Sequence, residues 1–292
     1  MTPMNLPVRG LNPKLTFRRE LLDTADGGQI SLDWYVASTT VQDQNGEIVM
    51  EETVVASSQP VMLFLPGITG HSQAEYFRSL VPIAHSIGYR VAIMNYRGLD
   101  GRPLRSPRLY CAATFEDLTT SLEHIRSKHM QTTATGNRTK LVAAGISMGG
   151  TLLSSYLAAT GTESLVDAAM LISTCWDFVA GSHNLERNCL TRLANAYLTN
   201  GLVRVVQANR EYLLANIPPG VTYDMDAIVK CRSLRTFDEA FTRKMFGFKS
   251  CDDYYEHSTT KDKIGLIRIP TLAINAADDF ILPENGTGVE IF

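Results

Sequence analysis

Apolar and polar residues alternate with different periods along this chain, and each change of period marks an element. In residues 17–36, Ile30, Leu32 and Trp34 interleave with Ser31, Asp33 and Tyr35 after Asp26-Gly27-Gly28. That period of two around a tight turn predicts a strand hairpin. Residues 38–59 are polar, hold Asn45-Gly46, and read as a surface excursion. Val61-Met62-Leu63-Phe64-Leu65 is apolar throughout and halts at Pro66-Gly67. Unbroken hydrophobicity over a strand length suits a strand buried on both faces of a parallel sheet.

From there strand, loop and helix recur. A helix near 74–87 precedes a strand over Arg90-Val91-Ala92-Ile93-Met94 and a loop rich in Gly, Pro and Arg from Tyr96 to Arg108. A helix near 115–129 sets Phe115, Leu118, Leu122 and Ile125 three and four residues apart. A strand over 140–144, a helix over 151–159 and a strand over 168–173 follow. Between about 180 and 262 the pattern turns mainly helical (Leu190 to Val206, Phe237 to Phe246), broken at Pro218-Pro219-Gly220; a strand signal returns at 270–275. Such alternation predicts an α/β domain with a mostly parallel sheet and a helical cap inserted over its open end. The expected division is an N-terminal tail (1–16), a first core part (17–179), a cap (180–262) and a core continuation (263–292).

Composition narrows the class. Of 292 residues, 45% are hydrophobic and 20% charged, which is globular usage and excludes a disordered chain. With 27 basic and 30 acidic side chains the net charge is −3, without the basic footprint of a nucleic-acid binder. Five cysteines (Cys111, Cys175, Cys189, Cys231, Cys251) show no C-x-x-C pair and an odd total, so they are expected to be buried or half-buried free thiols rather than disulfides or zinc ligands. No apolar run reaches the ~18–20 residues of a membrane span, and Met1 to Arg19 lacks an apolar leader core. An intracellular, cytoplasmic chain is the expectation.

The chemistry concentrates at Gly145-Ile146-Ser147-Met148-Gly149-Gly150. G-x-S-x-G gains meaning between a strand and a helix, because the sharp turn lifts the serine hydroxyl above the sheet. Glycines on either side let the two segments approach, and the helix N-terminus aims positive partial charge at the reacting centre. A nucleophilic serine also needs two backbone donors for an oxyanion. The Met148 amide is one; the loop Pro66-Gly67-Ile68-Thr69-Gly70 offers the other, with Ile68 preferred and Thr69 next. The acid follows a later strand, at Ala276-Ala277-Asp278-Asp279, where Asp278, the first side chain past the strand, is preferred to Asp279.

These stretches resemble the α/β-hydrolase-domain proteins that include medium-chain phospholipases, acylglycerol lipases and short-chain carboxylesterases. The matching segments include Leu65-Pro66-Gly67-Ile68-Thr69-Gly70, Asn95-Tyr96-Arg97-Gly98, Ser106-Pro107-Arg108-Leu109-Tyr110-Cys111, Ala144 to Gly150, Met245-Phe246-Gly247-Phe248, Asp252-Asp253-Tyr254-Tyr255 and Asn275 to Asp279. The resemblance implies an eight-stranded sheet and a Ser-Asp-His triad with Ser147 as nucleophile and Asp278 in the acid position. It implies cleavage of acyl esters, lipid esters among them, without a cofactor. Through such substrates it implies peripheral contact with membranes, although relatives commonly carry an N-terminal anchor that this chain does not show.

The resemblance also calls for a histidine base beyond Asp278. All six histidines (His71, His85, His124, His129, His183, His257) precede it, and residues 280–292 are too few for a last strand and helix. The expectation is therefore a C-terminally truncated hydrolase with impaired turnover, His71 being the nearest substitute base. Alternatives are a non-catalytic isoform or decoy, or an acyltransferase that uses the same serine. Trp176, Phe178 and Tyr197 are candidates to line an acyl pocket.

Overall fold

A computed structural model describes residues 14–42, 48–52, 58–130, 138–279 and 281. Strands β1 (Phe17–Asp23) and β2 (Gln29–Tyr35) form the expected hairpin, with Trp34 opposite Arg18 and Leu32 opposite Glu20. Where a polar excursion was expected, β3 (Ser38–Gln42) and β4 (Ile48–Glu52) pair antiparallel outside the main sheet. The Asn45-Gly46 turn lies outside the described residues.

The buried strands are β5 (Val61–Leu65), β6 (Arg90–Asn95), β7 (Leu141–Ile146), β8 (Ala168–Ile172) and β9 (Thr271–Ile274). Among the described residues the main sheet has seven strands in the order β1-β2-β6-β5-β7-β8-β9; β2 meets β6 antiparallel, and from β6 to β9 all pairs are parallel. The resemblance implied eight.

The continuous apolar strands work because successive side chains face opposite layers. Val61, Leu63 and Leu65 point into one core with Ala92, Met94 and Leu152, whereas Phe64 points into another with Val91, Ile93 and Phe77. The first core is roofed by α2 (Glu116–His124) and α3 (Met148–Thr160), the second by α1 (Phe77–Ser86). Five residues after α2, Ile125–His129, continue it as a π-helical turn.

Between β8 and β9 the chain is helical: α4 (Phe178–Leu185), α5 (Cys189–Ala208), α6 (Arg210–Ala215), α7 (Met225–Val229), α8 (Leu234–Phe237), α9 (Arg243–Phe246) and α10 (Cys251–Ser258). A π turn at Asp238–Thr242 joins α8 to α9. Polar side chains start these helices: Asp177 accepts the Ala180 N–H at 2.9 Å, and Asn188 forms a capping box with Thr191. Leu202, Val206, Leu213, Ile228, Phe237 and Phe241 give this stretch its own small core.

β5 leads through α1 to β6 on one side, and the chain then crosses to β7 on the other. Neighbouring strands that leave in opposite directions open a crevice at their carboxyl ends. Leu65 and Gly145 pair at that end, so the 66–70 loop and Ser147 emerge side by side.

Candidate active site

Ser147 sits between β7 and α3 with φ 53° and ψ −119°. A side chain is held in that left-handed conformation only where its surroundings impose it. Here they do: the Ser147 N–H donates to the Ile172 carbonyl at 2.8 Å, and its own carbonyl accepts from Gly150 and Thr151 at 2.9 and 3.2 Å. The flanking glycines are required by contact. A Cβ on Gly145 would drive into the Gly149 carbonyl, and one on Gly149 into the Leu65 carbonyl. The hydroxyl is half-buried at the start of α3, where the first amides have no intrahelical acceptor.

Three tyrosines hold the 66–70 loop, and their role was not read from sequence. The Gly67 N–H donates to the Tyr76 hydroxyl at 3.1 Å, the Tyr96 hydroxyl donates to the Pro66 carbonyl at 2.8 Å, and the Thr69 N–H donates to the Tyr110 hydroxyl at 3.2 Å. Tyr96 and Tyr110 stack at 4.8 Å. Burial pushes the Tyr76 phenol up to about 12, despite the opposing Gly67 amide, and raises Tyr110 further. Both stay neutral. Thr69, at φ 57°, thus has its amide occupied, while the Ile68 N–H makes no hydrogen bond within the described residues.

Ser147, Met148 and Ile68 line one cavity of about 980 Å³, open mouth included. Its other walls are mainly apolar and come from α4, α5 and the 234–246 helix, with Phe178, Leu202 and Phe241 among them. Phe178 therefore lines it as expected. Trp176 does not: it is buried in the main core, donating from Nε1 to Asn275 at 3.2 Å. Tyr197 also departs from expectation, being 74% exposed.

Among the described residues one carboxyl faces this apolar space. Asp238, on the π turn, is buried; Thr242 Oγ1 donates to its Oδ1 at 2.6 Å and the Tyr255 hydroxyl to its Oδ2 at 2.9 Å. Desolvation outweighs both bonds and pushes the carboxyl up to about 7. No sequence signal marked it.

Of the paired aspartates after β9, Asp278 is exposed and Asp279 is 3% exposed. Asp279 Oδ1 accepts the Ile281 N–H at 2.9 Å, and Ile281 lines the Ser147 cavity. Burial first, then the charges of Asp177 and Asp279, push the cavity's Cys175 thiol well up. The buried one of the paired aspartates is Asp279, whereas the sequence reading prefers Asp278. Of the thiols, Cys111, Cys231 and Cys251 are buried and Cys175 half-buried, but Cys189 is exposed against expectation.

None of the six histidines lines the cavity among the described residues. His71 is half-buried beside the 66–70 loop, its Nδ1 accepting the Gln73 N–H at 3.2 Å, and burial lowers its pKa.

With this geometry in place, residues 60–290 match the family model of the alpha/beta hydrolase fold. The chain belongs to the α/β hydrolase family. It is 37% identical over 278 residues to mouse phospholipase ABHD3, covering 95% of this chain but 62% of that protein, so the chain spans less than two thirds of such relatives. A putative esterase of Escherichia coli, YheT, is 27% identical over 290 residues, 94% of this chain and 77% of its own. A hydrolase structure from Pseudomonas aeruginosa superposes with a TM-score of 0.50 at 15% identity, over 92% of this chain and 84% of that one. It shares the α/β hydrolase fold. No helix among the described residues is long and apolar enough to cross a membrane.

Proposed function

We propose that this α/β hydrolase cleaves carboxylic acyl esters, lipid esters in particular, with Ser147 as nucleophile. The observation that carries the reading is the left-handed Ser147 corner opening onto an apolar cavity. In the proposed step Ser147 Oγ bonds to the acyl carbon and its proton passes to a base. The carbonyl electron pair moves onto oxygen, where the Ile68 and Met148 amides receive it. The tetrahedral species then expels the alcohol, which takes up the proton, and water releases the acid from the acyl-enzyme by the same route.

Asp279 is the better candidate than Asp278 for the acid that orients the base, because it is buried and its backbone neighbour Ile281 borders the cavity. The helices of 180–262 act as a cap that shelters the acyl chain. Support for a lipid-like acyl group comes from the apolar walls and from the similarity to a phospholipase. An exposed stripe on α5, Leu190, Leu193 and Tyr197, fits peripheral contact with a lipid surface.

A second reading has its own observation: no histidine lines the cavity among the described residues. In it the chain holds acyl ligands but turns them over poorly, since a serine without its imidazole loses on the order of 10⁶ in turnover in the subtilisin example. Labelling with a fluorophosphonate and hydrolysis of a medium-chain ester separate the two. The esterase reading expects both signals to vanish in Ser147→Ala, with Asp279→Asn losing at least tenfold more than Asp278→Asn. Acyl-ligand binding without any Ser147-dependent turnover supports the second.

A further inference from the structure

Outside the Ser147 cavity, three potential metal ligands converge. Glu20 lies on β1, His124 ends α2 and His129 ends the π turn that extends it. Their donor atoms all lie within 4.8 Å of one another: His124 Nε2 is 2.8 Å from Glu20 Oε1 and His129 Nε2 is 2.9 Å from Glu20 Oε2. None of the three lines the Ser147 cavity.

The π turn makes this convergence geometric rather than accidental. In an α-helix, residues five apart stand on different faces, since side chains meet at spacings of three and four. One extra residue in the turn brings His124 and His129 onto the same side, with ring centroids 5.6 Å apart. Such π insertions cluster at functional sites. The surroundings fix the donors as well. The Trp34 indole donates from Nε1 to Glu20 Oε2 at 3.0 Å and its ring lies on His129 at 4.3 Å. Arg90 donates from Nη2 to the His129 carbonyl, anchoring the end of the turn. Carboxylates held by an outer donor are the rule around bound metals. Both imidazoles keep about a quarter of their side-chain surface open, so water can complete the coordination.

We propose that Glu20, His124 and His129 form a divalent transition-metal site of the zinc class, two imidazole nitrogens and one carboxylate oxygen with solvent at the remaining position. Zinc takes such donors at ~2.0–2.2 Å in a tetrahedron, so donor atoms ~3.3–3.5 Å apart can share one ion after small side-chain rotations. The metal replaces the Nε2 protons that now face the carboxylate; each ring stays neutral by carrying its proton on Nδ1. The ion would clip the edge strand β1 to the end of α2.

The test is zinc titration of the purified, chelator-treated full chain, read by calorimetry and by metal content after gel filtration. One zinc per chain and a raised thermal midpoint are expected. In the His124→Gln/His129→Gln double variant the stoichiometry should fall to zero, and Trp34→Phe, which keeps the ring but loses the donor, should weaken binding ~10–100-fold. Cobalt should give the visible absorption of a low-coordinate site in the native chain and lose it in the double variant. If the native chain takes up no zinc at 100-fold molar excess, or the double variant retains it (an adventitious ion only), the site is a hydrogen-bonded cluster and the proposal fails. Should the double variant not fold, Trp34→Phe and Glu20→Gln decide it alone: unchanged affinity in both overturns the assignment.

Discussion

At residue scale the cavity's chemistry divides between a serine that the fold strains and a carboxyl whose ionisation the fold opposes. Asp238 meets Thr242 and Tyr255 by hydrogen bonds, and Tyr254, Cys251, Cys231 and Tyr110 also feel its charge. Its folded-state pKa of about 7 stands above the ~3.9 of an unfolded aspartate. Between those values the unfolded chain has already released the proton that the folded chain keeps. Stability contributed by this group is thus complete below ~pH 4 and is lost as pH rises to about 7. Asp238→Asn, which retains two polar atoms for Thr242 and Tyr255, should flatten this part of the curve. Thermal midpoints from pH 5 to 8 check it: the native chain should fall with pH more steeply than the variant, and parallel curves would place the titration elsewhere. The Gly-x-Ser-x-Gly corner was legible because its glycines and serine are adjacent in sequence. Asp238 was not, since its significance lies in contacts with Tyr255 and in a π turn that no residue spacing announces.

At the scale of elements, period and length located most strands and helices to within a few residues, including β5, β7 and β8. The helix expected near 115–129 is α2 plus the π turn, and apolar spacing could not show where the winding changes. The metal-ligand cluster was equally hidden, because Glu20 and His124 stand 104 positions apart. The helices between β8 and β9 carry apolar side chains on two faces. On α5, Leu198 and Leu202 line the cavity while Leu193 and Tyr197 are 70% and 74% exposed. Arg187 and Arg192 lie exposed beside that stripe. The peripheral membrane contact proposed above would use such an apolar face edged by basic residues at an anionic interface. Replacing Leu193 and Tyr197 together by glutamate should reduce binding to anionic phospholipid vesicles at least tenfold, measured by co-sedimentation. Turnover of a water-soluble short-chain ester should change less than twofold, as the substitutions leave the cavity walls untouched. Equal vesicle binding would remove the stripe from any membrane role.

At the scale of the whole molecule, a buried guanidinium adds to the β2–β6 pairing that joins the parallel core to its antiparallel edge. Arg97 leaves the end of β6 and reaches the β1–β2 turn at Asp26 (2.6 Å) and α2 at Asp117 (2.6 Å), with Thr24 and Ser106 taking further N–H groups at 3.0 and 2.7 Å. The arginine holds the Asp26 carboxyl far below its usual range, against a burial effect that alone would raise it. The family resemblance drew attention to Asn95-Tyr96-Arg97-Gly98, but sequence could not reveal that the charge ties three separated segments. Removing one partner of such a pair strands the others without compensation, and measured losses run to ~3–5 kcal/mol. Arg97→Met should lower the unfolding free energy by that order, read from urea unfolding, while Arg97→Lys should recover only part of it, because a point charge cannot fork to two carboxylates at once. Replacing Asp26 and Asp117 by asparagine alongside Arg97→Met removes the stranded charges and should regain part of the loss. A single Arg97→Met that unfolds at the native urea concentration would mean that β2–β6 pairing and the Asp33 bonds to Ser72 and Asn95 hold the hairpin without it.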